Sequence, residues 1–109
     1  MKFIFYFLFF FVFSACTKKP PLTEQLTPEQ LVERGKSIYT LNCIACHNAD
    51  PSLEGTAGPA IRGASLDLLQ AKILNATYPA SHKPKRDTKL MPKMAHLEKE
   101  IPALSNFLR

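Results

Sequence analysis

The sequence predicts a small all-α domain of three to four helices joined by long loops, and three observations carry that expectation. Apolar residues recur at helical spacing in three stretches, no stretch alternates as a strand would, and two irregular segments rich in proline or glycine lie between the helices. The chain has 109 residues, and its first part does not pattern like folded protein. A core this small contributes about 3–5 kcal/mol, and small natural folds add a disulfide, a metal or a cofactor. Loops this long in a small domain usually wrap something.

Met1-Lys2 is a short positive segment, Phe3 to Phe13 an apolar run, and Ser14-Ala15 a small-residue junction before Cys16. That order reads as a secretory signal peptide over 1–15, too short to span a bilayer, which takes about 20 residues. Phe13-Ser14-Ala15-Cys16 resembles a bacterial lipobox with Phe13 in place of the usual Leu, which makes Cys16 a lipidated N-terminus. Several acyl chains on one residue give stable membrane attachment. Thr17 to Leu26 is polar with Pro20-Pro21, so 16–26 reads as a lipidated, flexible tether and 27–109 as the folded domain.

Thr27-Pro28-Glu29-Gln30 supplies an N-cap, a first-turn proline and a capping-box partner. The helix that follows buries Leu31, Gly35, Ile38 and Tyr39. Gly35 costs about 1 kcal/mol against Ala inside a helix, and close approach by another helix is a reason for it. Asn48 to Gly63 holds too many breakers for a regular element. Ser65 caps a second helix through about Asn75, with Leu66, Leu69, Ile73 and Leu74 inward and Gln70 and Lys72 outward. Ala76 to Pro92 is a second irregular segment. A last helix covers roughly Glu98 to Leu108, its regular part beginning as late as Lys99 or Glu100 because Pro102 fits only a first turn.

The chain carries 14 Lys and Arg against 9 Asp and Glu, a formal charge of +5. This favours acidic partners. Nucleic acid is not expected, because the cations are spread without an aromatic stacking platform, and seven of the eight Phe lie between Phe3 and Phe13.

Cys43-Ile44-Ala45-Cys46-His47 has the C-x-x-C-H spacing of covalent haem attachment. Thiols at i and i+3 on one helical turn add to the two haem vinyl groups, and the histidine at i+4 reaches the iron from the same face. A structural disulfide, a thioredoxin-like pair and half of a zinc site compete with this reading. The redox pair lacks a βαβ context, and zinc needs further ligands, for which only His82 and His96 are available. Export and helical context favour haem.

With Gly35-Lys36-Ser37-Ile38-Tyr39 ahead of the motif, Gly58-Pro59-Ala60-Ile61 and Met91-Pro92 after it, and a terminal helix, the chain from Leu31 onward resembles the monohaem class I cytochrome c family. The resemblance implies a small cytochrome c fold around one covalent haem c per chain, bonded through Cys43 and Cys46 and ligated by His47. It further implies that Gly35 and Tyr39 pack against the last helix beside the cofactor, and that the Pro59 carbonyl accepts a hydrogen bond from His47 Nδ1. The sixth ligand it implies is Met91, directly before Pro92, with Met94 the fallback and a histidine or an open site the remaining alternatives.

A thioether opposite the histidine closes the iron and raises its reduction potential. The resulting expectation is an electron carrier and not an enzyme, freely tethered or a small cytochrome subunit of an oxidoreductase complex. It would work as a monomer on the periplasmic side of a bacterial membrane. A peroxidase-like enzyme or a five-coordinate gas sensor are the alternatives. Lys83, Lys85, Arg86, Lys89 and Lys93 surround Met91, so a basic docking rim for acidic redox partners is expected, and Arg62 or a loop lysine is a candidate partner for the haem propionates.

Overall fold

The computed structural model describes residues 19–20 and 22–109. Three α-helices and two 3-10 turns form the described part, which contains no strand. The segment expected to be a signal peptide, and Cys16, lie outside the described residues. Within the segment expected to be an extended tether, Leu22–Gln25 forms a single 3-10 turn. Gln25 Nε2 donates to the Pro20 carbonyl across it at 3.3 Å, a local side-chain bond that the composition does not announce.

Helix α1 (Pro28–Asn42) starts as its capping residues dictate. Thr27 Oγ1 accepts the Gln30 N–H, and Gln30 Oε1 accepts the Thr27 N–H. Such a cap is worth about 1 kcal/mol. Gly35, Ile38 and Tyr39 are its buried residues, and Leu31 is half-buried. Helix α2 (Leu66–Asn75) is capped by Ser65, whose Oγ accepts the Leu68 N–H at 3.2 Å. It buries Leu69 and Ile73, but Leu66 is exposed. Leu66 shares the face of Leu69 and Ile73 but stands at the first helical position, at the open end of α2. Lys72, expected outside, is half-buried with its Nζ 4.2 Å from the centre of the Tyr78 ring. The long aliphatic stem of lysine lets the residue cover apolar surface while its charge stays near water.

The last helix begins later than its apolar pattern. Ala95–Glu100 is a 3-10 turn, and α3 is Ile101–Leu108, with Pro102 in its first turn. An α-helix starting at Glu98 would leave the Glu98 carbonyl waiting for an N–H that Pro102 lacks. The tighter turn answers this, because the Ile101 N–H reaches Glu98 instead.

Helices α1 and α3 cross at Gly35. A Cβ at this position would lie 2.6 Å from the Ala103 carbonyl carbon and 2.8 Å from Phe107 Cβ, so only glycine permits the approach. Beside the crossing, the Tyr39 and Phe107 rings are 5.4 Å apart and tilted by 50°. Arg34 on α1 clamps Glu100 through Nε at 3.0 Å and Nη2 at 2.5 Å. Ile38, Tyr39, Leu69, Ile73, Leu97, Ile101, Leu104 and Leu108 make one apolar cluster, with Met91 and Met94 packed on its flank. The core therefore fills only one side of the loops.

Candidate functional site

Where α1 ends, the backbone makes one more turn. The Cys46 and His47 N–H groups both donate to the Cys43 carbonyl, at 3.2 and 2.8 Å. Cys43, Cys46 and His47 thus occupy a single turn and line one cavity. Cys43 is half-buried and Cys46 exposed, neither in a disulfide. Burial pushes the Cys43 thiol up to about 11.

The loop after the motif is stitched back onto it. The Ala57 and Gly58 N–H groups both donate to the Cys46 carbonyl, at 3.1 and 2.9 Å, and Gly55 N–H donates to the Gly58 carbonyl at 2.9 Å. Pro59 is thereby carried to His47, whose Nδ1 lies 2.9 Å from the Pro59 carbonyl. A carbonyl only accepts, so Nδ1 is the donor, and in the neutral imidazole Nε2 is then the nitrogen with the free lone pair. Tyr39, 1% exposed, donates its hydroxyl to the Asn48 carbonyl at 2.6 Å and pins the chain just past the motif. Burial pushes this phenol up to about 12.

The cavity measures about 400 Å³, within the range of small-molecule and cofactor sites. Its walls are the Cys43–His47 turn, Pro59 and Ile61 on the near side, Leu68, Leu69 and Ile73 of α2, Met91 and Met94 from the second loop, and Leu104 and Leu108 of α3. Both candidate methionines therefore reach it. The Met94 N–H is fixed to the Ile73 carbonyl at 2.7 Å, whereas Met91 lies in irregular backbone. Of the two spare histidines, His82 lines the cavity, stacked on Tyr78 at 5.4 Å, and exposed His96 does not.

A model of the Cytochrome c family matches residues 32–109. The chain belongs to the cytochrome c family. No curated protein and no solved structure matches it. Its all-α fold is the small cytochrome c fold, and its cofactor is covalently bound haem c. The cytochrome is accordingly a haem-binding electron-transfer protein, and domains of this family are typically exported in bacteria.

The residues present fit that group. Two thiols and an imidazole whose Nδ1 is bonded to a carbonyl share one turn, thioethers stand in the wall of the same cavity, and the lining is mostly apolar. The charged residues in the lining are all basic, namely Arg62, Lys72, Lys85 and Arg86. Arg62 is already committed, since its Nη1 donates to the main-chain oxygens of Phe107 and Arg109 at 3.1 Å each. The basic rim is likewise partly engaged. Arg86 pairs with Glu54, and Lys85 Nζ donates to the Ala60 carbonyl at 2.7 Å.

Sequence reasoning alone missed the close contacts of two glycines. A Cβ at Gly55 would lie 2.6 Å from the His47 backbone, and one at Gly58 would strike the His47 ring. The only signal was compositional, because the chain has 4 glycines and two of them stand within three residues of each other here. The Arg86–Glu54 pair, 32 residues apart, left no signal.

Proposed function

We propose that this cytochrome is a one-haem electron carrier in which Cys43 and Cys46 form the thioether bonds and His47 and Met91 are the axial ligands of the iron. The observation that carries the reading is the 2.9 Å contact between His47 Nδ1 and the Pro59 carbonyl, because it engages Nδ1, leaves Nε2 as the ring nitrogen available to a metal, and fixes the imidazole. Haem c supplies one-electron iron chemistry. The chain's own residues orient the imidazole, keep water from the apolar wall and hold a thioether on the far side. Met91 is favoured over Met94 because it precedes Pro92 in irregular backbone free to adjust, while the Met94 backbone is fixed to α2. A closed iron of this kind exchanges electrons through its edge and offers no site to a substrate.

The lipobox-like junction supports attachment of Cys16 to a membrane on the periplasmic side, with residues 17–26 as the spacer. No helix among the described residues is long and apolar enough to cross a membrane. The net charge of +5 supports redox partners with acidic docking faces and a monomeric carrier between them. Optical spectra of the reduced protein with and without carbon monoxide test the reading. Wild type is expected to keep a thioether-ligated spectrum and Met91→Ala to lose it and bind carbon monoxide. Loss in Met94→Ala alone transfers the role to Met94, and ready binding by wild type returns the protein to the enzymes and gas sensors.

A further inference from the structure

The irregular segment that carries Met91 has no helix to hold it, yet two consecutive side chains tie it to the loop that carries Pro59. Arg86 reaches Glu54 through Nε at 3.1 Å and through Nη2, and Nη2 also donates to the Gly55 carbonyl at 3.1 Å. The other carboxylate oxygen of Glu54 accepts the Ala60 N–H at 3.2 Å, and Lys85 Nζ donates to the Ala60 carbonyl. These bonds bracket Gly58 and Pro59, the two residues that steady His47. One charged pair therefore joins the wall holding the histidine to the wall holding the methionine.

We propose that Arg86 is a positioning residue: bound to Glu54 and Gly55, it holds the Met91 segment closed over the cavity and so controls access of outside ligands to the iron. The inference rests on Met91 being the sixth ligand. The guanidinium suits the task because its planar fork binds a carboxylate and a carbonyl together, which a lysine ammonium cannot do with the same fixed geometry. Glu54 is largely exposed, with 60% of its side chain accessible, so the pair adds little to global stability. Its effect falls on local opening of one loop, a low-energy event that need not unfold the helices.

The test uses the full-length, haem-loaded protein and imidazole as the entering ligand. Arg86→Gln and Glu54→Gln are each expected to bind imidazole at the ferric iron about two- to fivefold faster than wild type, the factor that follows from losing an exposed ion pair on opening. Their denaturation midpoints are expected to fall only slightly, by no more than the rate gain implies, and amide exchange at Ala60 to accelerate in Glu54→Gln. Wild-type imidazole kinetics in both variants overturns the proposal, as does a loss of global stability well beyond what the gain in binding rate implies. Met91→Ala distinguishes the two readings. If it keeps the thioether spectrum, the ligand assignment fails; if it binds imidazole readily while Arg86→Gln and Glu54→Gln do not, only the tie fails.

Discussion

Gly58 lies flat against the imidazole of His47: a Cβ built there would fall 2.5 Å from both Cε1 and Nδ1 of the ring. The absent side chain is thus part of what aims the histidine. Gly58→Ala is expected to push the ring away from the Pro59 carbonyl and to destabilise the haem-loaded protein by about 1–3 kcal/mol, the usual cost of forcing a group into a filled space. Proton NMR checks the first effect. The exchange-protected Nδ1 proton of His47 should be lost in the variant, and its survival at wild-type intensity would show that the ring tolerates a methyl group.

Tyr39 gives a pH-dependent outcome. Its folded-state phenol is raised above the ordinary value near 10 to about 12, chiefly because burial disfavours the phenolate. Its contribution to stability is therefore full below pH 10 and is lost as the pH rises through the window from 10 to 12. Tyr39→Phe is expected to cost about 1–2 kcal/mol at neutral pH, since the Asn48 carbonyl loses its donor. The variant should also flatten the alkaline fall in stability. Chemical denaturation at pH 7, 10 and 11 measures both, and a parallel decline in the two proteins would remove Tyr39 from the account.

The two motif cysteines should differ before haem is attached. Alkylating reagents attack the thiolate, and burial holds the Cys43 thiol up at about 11 while Cys46 is exposed. In the haem-free protein at pH 8, iodoacetamide is expected to label Cys46 well before Cys43, as read by peptide mass spectrometry. Equal labelling would mean that the pocket forms only around the cofactor.

Much of this was legible in the sequence because local rules decide it. Thr27 and Ser65 are caps whose partners lie three residues away, and the C-x-x-C-H spacing needs only one turn of backbone. Gly35 could be read as a crossing point because a glycine amid apolar helix positions has few other reasons to be there. Legibility ended where geometry is set by distant partners. Pro102 announced a late helix start, but not that a 3-10 turn would precede it. Leu66 carried an apolar side chain to a helix start facing water, and Lys72 laid its ammonium over the Tyr78 ring instead of pointing away. The basic loop looked like a uniform rim of charge, whereas Arg86 and Lys85 had found Glu54 and Ala60 across the cavity. Side-chain type gives no sign of which cation will find an anion in the folded state.

The clamp between Arg34 and Glu100 joins residues 66 apart in the chain, and with the Gly35 crossing it makes the pocket a late product of folding. During synthesis the Cys43–His47 turn emerges well ahead of α3, and no local contact can stand in for that helix. Contacts of such separation form slowly, since a long loop must close first. The turn thus stays accessible to attachment chemistry for as long as the last helix is missing. Timing, and not only geometry, is written into the distance between the two helices that cross.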